Sequence, residues 1–315
     1  MGNWWNGSPR RRSLLGVAAV LVAAAGLAAP VVGSAPSPGP PGVQPYRLGV
    51  VGFYNPRLMY LKYQSLVDYL SETTGRPWEL VIGSSYEETV EGLCSGDLDL
   101  AYLGPFTYTQ AHARCGARPV VRLRTGGKAT YRSLMLVRTD SPYTKVSDLR
   151  GRRFGFGSPL STSSHLVPRA ILVDAGLTPG KDVECRYFRH HERAARAVLL
   201  GEVEACGVRD IVGEKYVGRG LRILARSEPI PNFPLVVGPG DDGTVRRMIL
   251  RALLEVPRTD AAVRARMKGW DRELADGFLS AEDGDYDPVR ELASRIFGRR
   301  AFHLGPRALQ CGGGG

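Results

Sequence analysis

From Tyr46 onward, short apolar runs alternate with longer amphipathic stretches, the pattern of strands and helices taken in turn. Tyr46 to Gly52 reads as a buried strand, left through a turn at Phe53, Tyr54, Asn55 and Pro56. Met59, Tyr63, Leu66, Val67 and Leu70 share one face of a helix predicted from about Arg57 to Ser71, with Gly75 just past its end. Trp78 to Ile82 is a second strand. Ser84 and Ser85 open a second helix, and Glu88 stands at capping-box spacing from Ser85. Leu98 to Leu103 is a third strand, Gly104 and Pro105 start a helix through about Arg114, and Pro119 to Leu123 is a fourth strand.

The same order then recurs. Arg153 to Gly157 answers Arg47 to Gly52, and a helix from Ser163 to Ala175, followed by Gly176, answers the one from Arg57. Val183 to Phe188 answers Trp78 to Ile82, and a helix from about His191 to Leu200 answers the one capped by Ser85. Gly96-Asp97-Leu98-Asp99-Leu100-Ala101 is matched by Gly201-Glu202-Val203-Glu204-Ala205-Cys206. A repeat of roughly 105 residues is too long for a solenoid and right for two similar lobes. The expected fold is α/β: two similar lobes of mostly parallel sheet with helices on both faces. Two extended stretches, Tyr131 to Val137 and Leu224 to Val237, are placed to carry the chain between lobes as a two-segment hinge. Lobe 1 then comprises 46–135 plus 235–305, and lobe 2 comprises 136–234. Asp242 to about Arg300 is helical in pattern and returns to lobe 1, while 306–315, with four glycines after Cys311, is expected to be disordered.

Arg10, Arg11 and Arg12 precede an apolar run from Leu14 to about Ala29, so 1–35 reads as a secretory signal, Sec-type or twin-arginine, and 36–45 as a linker. The mature chain is expected to be exported to the periplasm, since no other stretch approaches the roughly 18 apolar residues of a membrane span. Losing three arginines takes the formal charge from +11 to +8. That excess suits anionic ligands. The basic residues are scattered and not interleaved with aromatics, which argues against nucleic acid. Five cysteines lack the close pairing of a zinc site, and no cofactor fingerprint is present, so neither metal nor cofactor is expected. Export permits disulfides, with Cys94 and Cys115 the first pair, and an odd count leaves at least one thiol free. Cys185 and Cys206 fall on the outer two of three strands in a 2-1-3 order, so that pair is not expected.

Ligand sites in open α/β sheets lie beyond the carboxyl ends of the strands. The most telling of those ends is Arg153 to Pro168, an apolar strand and glycine turn leading to Ser161, Thr162 and Ser163 at the cap and first turn of a helix. Backbone N–H groups there lack intrahelical partners and the helix dipole favours negative charge, so the turn suits an anion. The other strand ends bring Tyr54, Tyr86, His190, His191 and Asp210 to the same cleft, with Tyr131 rising from the hinge. One of the two adjacent histidines is expected to face the cleft, and His165 reads as structural. Asp210 either caps a helix or reads a positive part of the ligand.

The run from Gly155 through Ser161-Thr162-Ser163 to Pro168, with Ala101 to Phe106, Thr130 to Ser133, His191-Glu192 and Ser227 to Pro231, resembles the PhnD-like phosphate-, phosphite- and phosphonate-binding proteins of ABC importers. The resemblance implies a type II periplasmic binding fold, a Venus-flytrap cleft, no catalysis and an ABC permease as membrane partner. It implies Ser161, Thr162 and Ser163 as ligands of the phosphonate oxygens, Tyr86 and Tyr131 as cleft tyrosines and His191 as the family's histidine. Relatives that hold an aminoalkyl chain use acids past the second-lobe strand and in the hinge. Here those regions offer only Asp210 and the acid-free Ile230-Pro231-Asn232-Phe233, so phosphite, methylphosphonate or phosphate is the expected ligand. A protonated His191 would strengthen the grip, and binding is then expected to weaken as pH rises through its pKa. A monomer is expected. A sensory binding protein that presents its ligand to a receptor kinase shares all these features. A secreted hydrolase fits poorly, because the serines lack a nucleophile elbow, a base and an orienting acid.

Overall fold

The computed structural model describes residues 44–255 and 261–312. The expected signal at 1–35, and the linker up to residue 43, lie outside the described residues. In chain order the elements are β1 (Tyr46–Val50), α1 (Pro56–Thr74), β2 (Trp78–Ile82), α2 (Tyr86–Ser95), β3 (Leu100–Tyr102), α3 (Pro105–Cys115), β4 (Arg118–Leu123), β5 (Thr130–Tyr131) and β6 (Ser133–Arg138). They continue with β7 (Arg153–Phe156), α4 (Val167–Asp174), β8 (Glu184–Tyr187), α5 (His191–Leu199), β9 (Ala205–Arg209), α6 (Asp210–Gly213), β10 (Leu221–Arg226), β11 (Ile230–Pro231) and β12 (Pro234–Val237). The last are α7 (Thr244–Leu250), α8 (Ala261–Met267), β13 (Phe278–Ser280), α9 (Asp287–Phe297) and α10 (Pro306–Leu309).

Two sheets carry the fold, one in the order β13-β4-β12-β3-β1-β2 and the other β10-β6-β9-β7-β8. Each is built on a parallel 2-1-3 core, β2-β1-β3 or β8-β7-β9. The strand that arrives from the opposite lobe is then inserted antiparallel: β12 lies between β3 and β4, and β6 between β9 and β10. Chain direction is thus mostly shared within a sheet; the exceptions are the crossing strands β6 and β12, and β13, which joins β4 antiparallel. The crossings themselves pair as a short antiparallel ribbon, β5 with β11, setting Tyr131 opposite Ile230. The predicted face of α1 is buried, and Gly75 ends that helix at φ 65°, a conformation glycine adopts without Cβ strain.

Two expectations fail. Asp242 to Arg300 is not helical throughout, because β13 pairs with β4 and covers an edge that would otherwise stay open. Nor is the expected disorder of 306–315 seen over 306–312; 313–315 lie outside the described residues. Gln110 on α3 donates to the carbonyls of Ala301 and Leu304 at 3.0 and 3.3 Å, Leu309 is buried, and Cys311 is bonded to Cys185 on β8. An anchored leucine and cysteine decide the course of this segment, whatever the glycines beyond them. Cys94 and Cys115 form the expected disulfide, and Cys206 is a buried free thiol.

Candidate functional site

Where β7 ends, Gly157 turns the chain so closely past Ser164 that a Cβ there would stand 2.0 Å from the Ser164 hydroxyl. The turn that follows is a wide one. Leu166 N–H donates to Ser161 C=O, five residues back, so one more N–H than in an α-helix is left without a helical carbonyl before α4 begins. Turns of this kind gather at functional sites.

The Ser161 and Thr162 hydroxyls each already accept a backbone N–H. Ser161 Oγ accepts from Ser164 N–H at 3.2 Å as the cap, and Thr162 Oγ1 accepts from Phe106 N–H at 2.8 Å, across from the other lobe. Their hydrogens remain to be donated. Ser163 offers its carbonyl to the Ser133 hydroxyl at 2.6 Å, while its own Oγ is buried without a partner. The Tyr86 hydroxyl lies within reach of Ser161, and the Tyr131 hydroxyl lies beside Thr162 and Ser163 without completing a hydrogen bond. Burial raises both phenol pKa values, keeping the two groups protonated donors.

His191, and not His190, is the buried histidine. Its Nδ1 accepts from Arg209 N–H at 3.1 Å, so the proton of the neutral ring sits on Nε2, 3.4 Å from Ser161 Oγ and 3.2 Å from Ser164 Oγ. Burial, then the positive charges of Arg209 and His190, pull its pKa down to about 3. Burial and the neighbouring charges thus disfavour the charged ring, and the added grip that a protonated His191 would give is not expected at neutral pH. Between pH 6 and 8 oxyanion affinity is expected to follow only the ionisation of the ligand. Calorimetry across that range checks this, and a loss of affinity centred near the ordinary imidazole pKa of about 6.5 would contradict it.

Ser161, Thr162, Ser163, Tyr86, Tyr131 and His191 are thus brought together and buried. Tyr54 is buried one step away, its ring between the ammonium groups of Lys62 and Lys215 at 5.1 and 5.2 Å. Asp210 is half-buried and is the first residue of α6, not its cap; its carboxylate is taken up by backbone amides, Oδ2 accepting from Arg132 N–H at 2.7 Å and Oδ1 from Ile211 N–H at 2.8 Å. Arg209 and Glu273, which no sequence motif singles out, form a fully buried ion pair between the lobes. The one available signal was that Arg209 occupies the carboxyl end of β9.

The lobes meet around this cluster. Thr107 Oγ1 donates to Leu160 C=O at 3.1 Å, His191 N–H to Phe53 C=O at 3.3 Å, and the Arg189 guanidinium to Ser84 C=O. At the rim a cavity of about 350 Å³ is bounded by Ser85, Tyr86, Ser158, Leu160 and Pro306. Water-excluded donors converging from two hinged bodies suit an anion whose hydration they replace.

A family model described as "ABC transporter, phosphonate, periplasmic substrate-binding protein" matches residues 48–286. The chain is 29% identical over 255 residues to the phosphate-import protein PhnD of Mycolicibacterium smegmatis, spanning 73% of this chain and 79% of that protein. It is 25% identical over 223 residues to the phosphonates-binding periplasmic protein of Escherichia coli, 66% of this chain and 64% of the relative. Among solved structures, PhnD1 of Prochlorococcus marinus in complex with methylphosphonate has the same fold, with a TM-score of 0.70, 18% identity and coverage of 80% of this chain and 98% of the other. The two lobes, the hinge and this match identify the chain as a member of the family of periplasmic phosphonate-binding proteins that serve ABC transporters.

Proposed function

We propose that this protein is the exported, monomeric solute-binding subunit of an ABC importer, closing its lobes, 46–135 with 235–305 against 136–234, on a small phosphorus oxyanion such as phosphite, methylphosphonate or phosphate. One observation carries the reading: the Ser161 and Thr162 hydroxyls accept backbone N–H groups and keep their hydrogens for an anion, the buried Ser163 hydroxyl has no partner, and all three face the donors Tyr86, Tyr131 and neutral His191. Charge-assisted hydrogen bonds from hydroxyls, turn amides and the His191 Nε2–H would replace the anion's water. The basic charge of the chain favours encounter with anions and not the chemistry of turnover. A hydrolytic use of Ser161 and His191 is disfavoured, because His191 Nδ1 receives a backbone N–H where a triad needs a carboxylate acceptor.

A thermal-shift and calorimetric screen over phosphate, phosphite, methylphosphonate and sulfate tests this. At least one phosphorus oxyanion is expected to raise the melting temperature and to bind with a measurable heat. A screen in which no phosphorus oxyanion binds would sink the proposal.

A further inference from the structure

Arg209 ends β9 in one lobe, and Glu273 stands between α8 and β13 in the other; each is 1% exposed. One Arg209 terminal nitrogen donates to Glu273 Oε1, which also accepts from the Tyr102 hydroxyl at 3.1 Å, and the other lies 3.3 Å from Asn232 Oδ1. The guanidinium carbon lies 4.2 Å from the ring centre of Phe233, 5.0 Å from that of Tyr131 and 5.9 Å from that of Phe53. Three aromatic rings closed by a carboxylate are the chemistry that binds an alkylammonium group. Here the cation inside them belongs to the protein.

Tyr131 joins this box to the anion turn: its ring meets the guanidinium while its hydroxyl stands beside Thr162 and Ser163. The two sites are therefore one tyrosine ring apart, the span of a short zwitterion. We propose that Arg209 is a built-in counter-cation that fills the amine end of the cleft and restricts the ligand to phosphorus oxyanions that carry no ammonium group. This rests on the oxyanion-binding function above and sharpens its substrate class. An ammonium group brought to this end meets a buried guanidinium with little solvent screening, and the carboxylate that would receive it is already engaged. An oxyanion without an amine gains from the same positive charge.

Calorimetric titration of methylphosphonate and aminoethylphosphonate into the wild-type protein, Arg209→Ala and Arg209→Met/Glu273→Gln tests the assignment. The wild type is expected to prefer methylphosphonate by at least about 100-fold. Arg209→Ala leaves the box and Glu273 to the ligand's ammonium, so the preference is expected to fall by at least about tenfold. Because that variant leaves a buried carboxylate unpaired, the double variant serves as its folded counterpart: it removes both charges at similar volume and is also expected to lose most of the discrimination. Equal binding of the two phosphonates by the wild type overturns the proposal, as does a folded variant of either kind that keeps the wild-type ratio. Wild-type protein that binds no phosphorus oxyanion overturns the function as well, whereas indiscriminate binding overturns only the role of Arg209.

Discussion

Alanine at both Ser161 and Thr162 is expected to weaken oxyanion binding by roughly 10²- to 10⁴-fold while the protein still folds. The two hydroxyls hold their hydrogens in reserve for the anion, since Ser164 N–H and Phe106 N–H already donate to their oxygens. A hydrogen bond to a charged group contributes about 1.5–3 kcal/mol, so two of them amount to roughly 3–6 kcal/mol, the stated range in affinity. The cost to the fold is smaller. Loss of the Ser161 cap costs about 1 kcal/mol, and the Phe106 N–H left without its interlobe partner costs about 1–3 kcal/mol. Calorimetry with phosphite or methylphosphonate reads the first effect and urea unfolding the second. Ser163→Ala is the cleaner companion, because its Oγ has no partner in the protein and its removal touches binding alone. Wild-type affinity in the double variant would place the anion elsewhere.

What the sequence made legible is what local chemistry decides. The anion turn could be read because a glycine turn and three hydroxyls before an amphipathic helix are contiguous, and the repeat because Gly96 and Gly201 begin the same short pattern. His191 was found by position, but its charge was not, since desolvation and the Arg209 charge belong to the folded state. Arg209 was passed over for the same reason. An arginine at a strand end reads as solvated until the chain brings Glu273, 64 residues away, and three aromatic rings around it. Asp210, the neighbour that looked chemically useful, gives both carboxylate oxygens to backbone amides. The β13 strand is three residues long, too short for a period of two to declare itself, and only the open edge of β4 explains it.

Breaking the Cys185–Cys311 bond, as Cys185→Ser/Cys311→Ser, is expected to open the ligand-free protein and weaken its ligand binding. The backbone crosses between lobes at β5–β6 and again at β10–β12, and this disulfide is a third covalent connection. Its tail leaves α9, is held on α3 through Gln110, buries Leu309 and ends on β8, the outermost strand of the second sheet. Arg169 and the Tyr187 hydroxyl meet it there, Tyr187 accepting from Cys311 N–H at 3.0 Å. Hinge opening must therefore stretch or undock a segment fixed at both ends. Removing the bond frees that motion, and a fall in the closed fraction from about 50% to about 5% would weaken apparent affinity about tenfold. The bond spans 126 residues, for which chain entropy sets a ceiling of about 5 kcal/mol on its contribution to stability. Cys94→Ser/Cys115→Ser is the control: it opens a loop of 21 residues between α2 and α3 of one lobe, worth about 3 kcal/mol by the same argument, and leaves the hinge alone. Small-angle scattering of the ligand-free proteins is expected to show a larger radius of gyration for the first variant and no change for the second. Equal radii and equal affinities in both would show that the tail carries no restraint on the hinge.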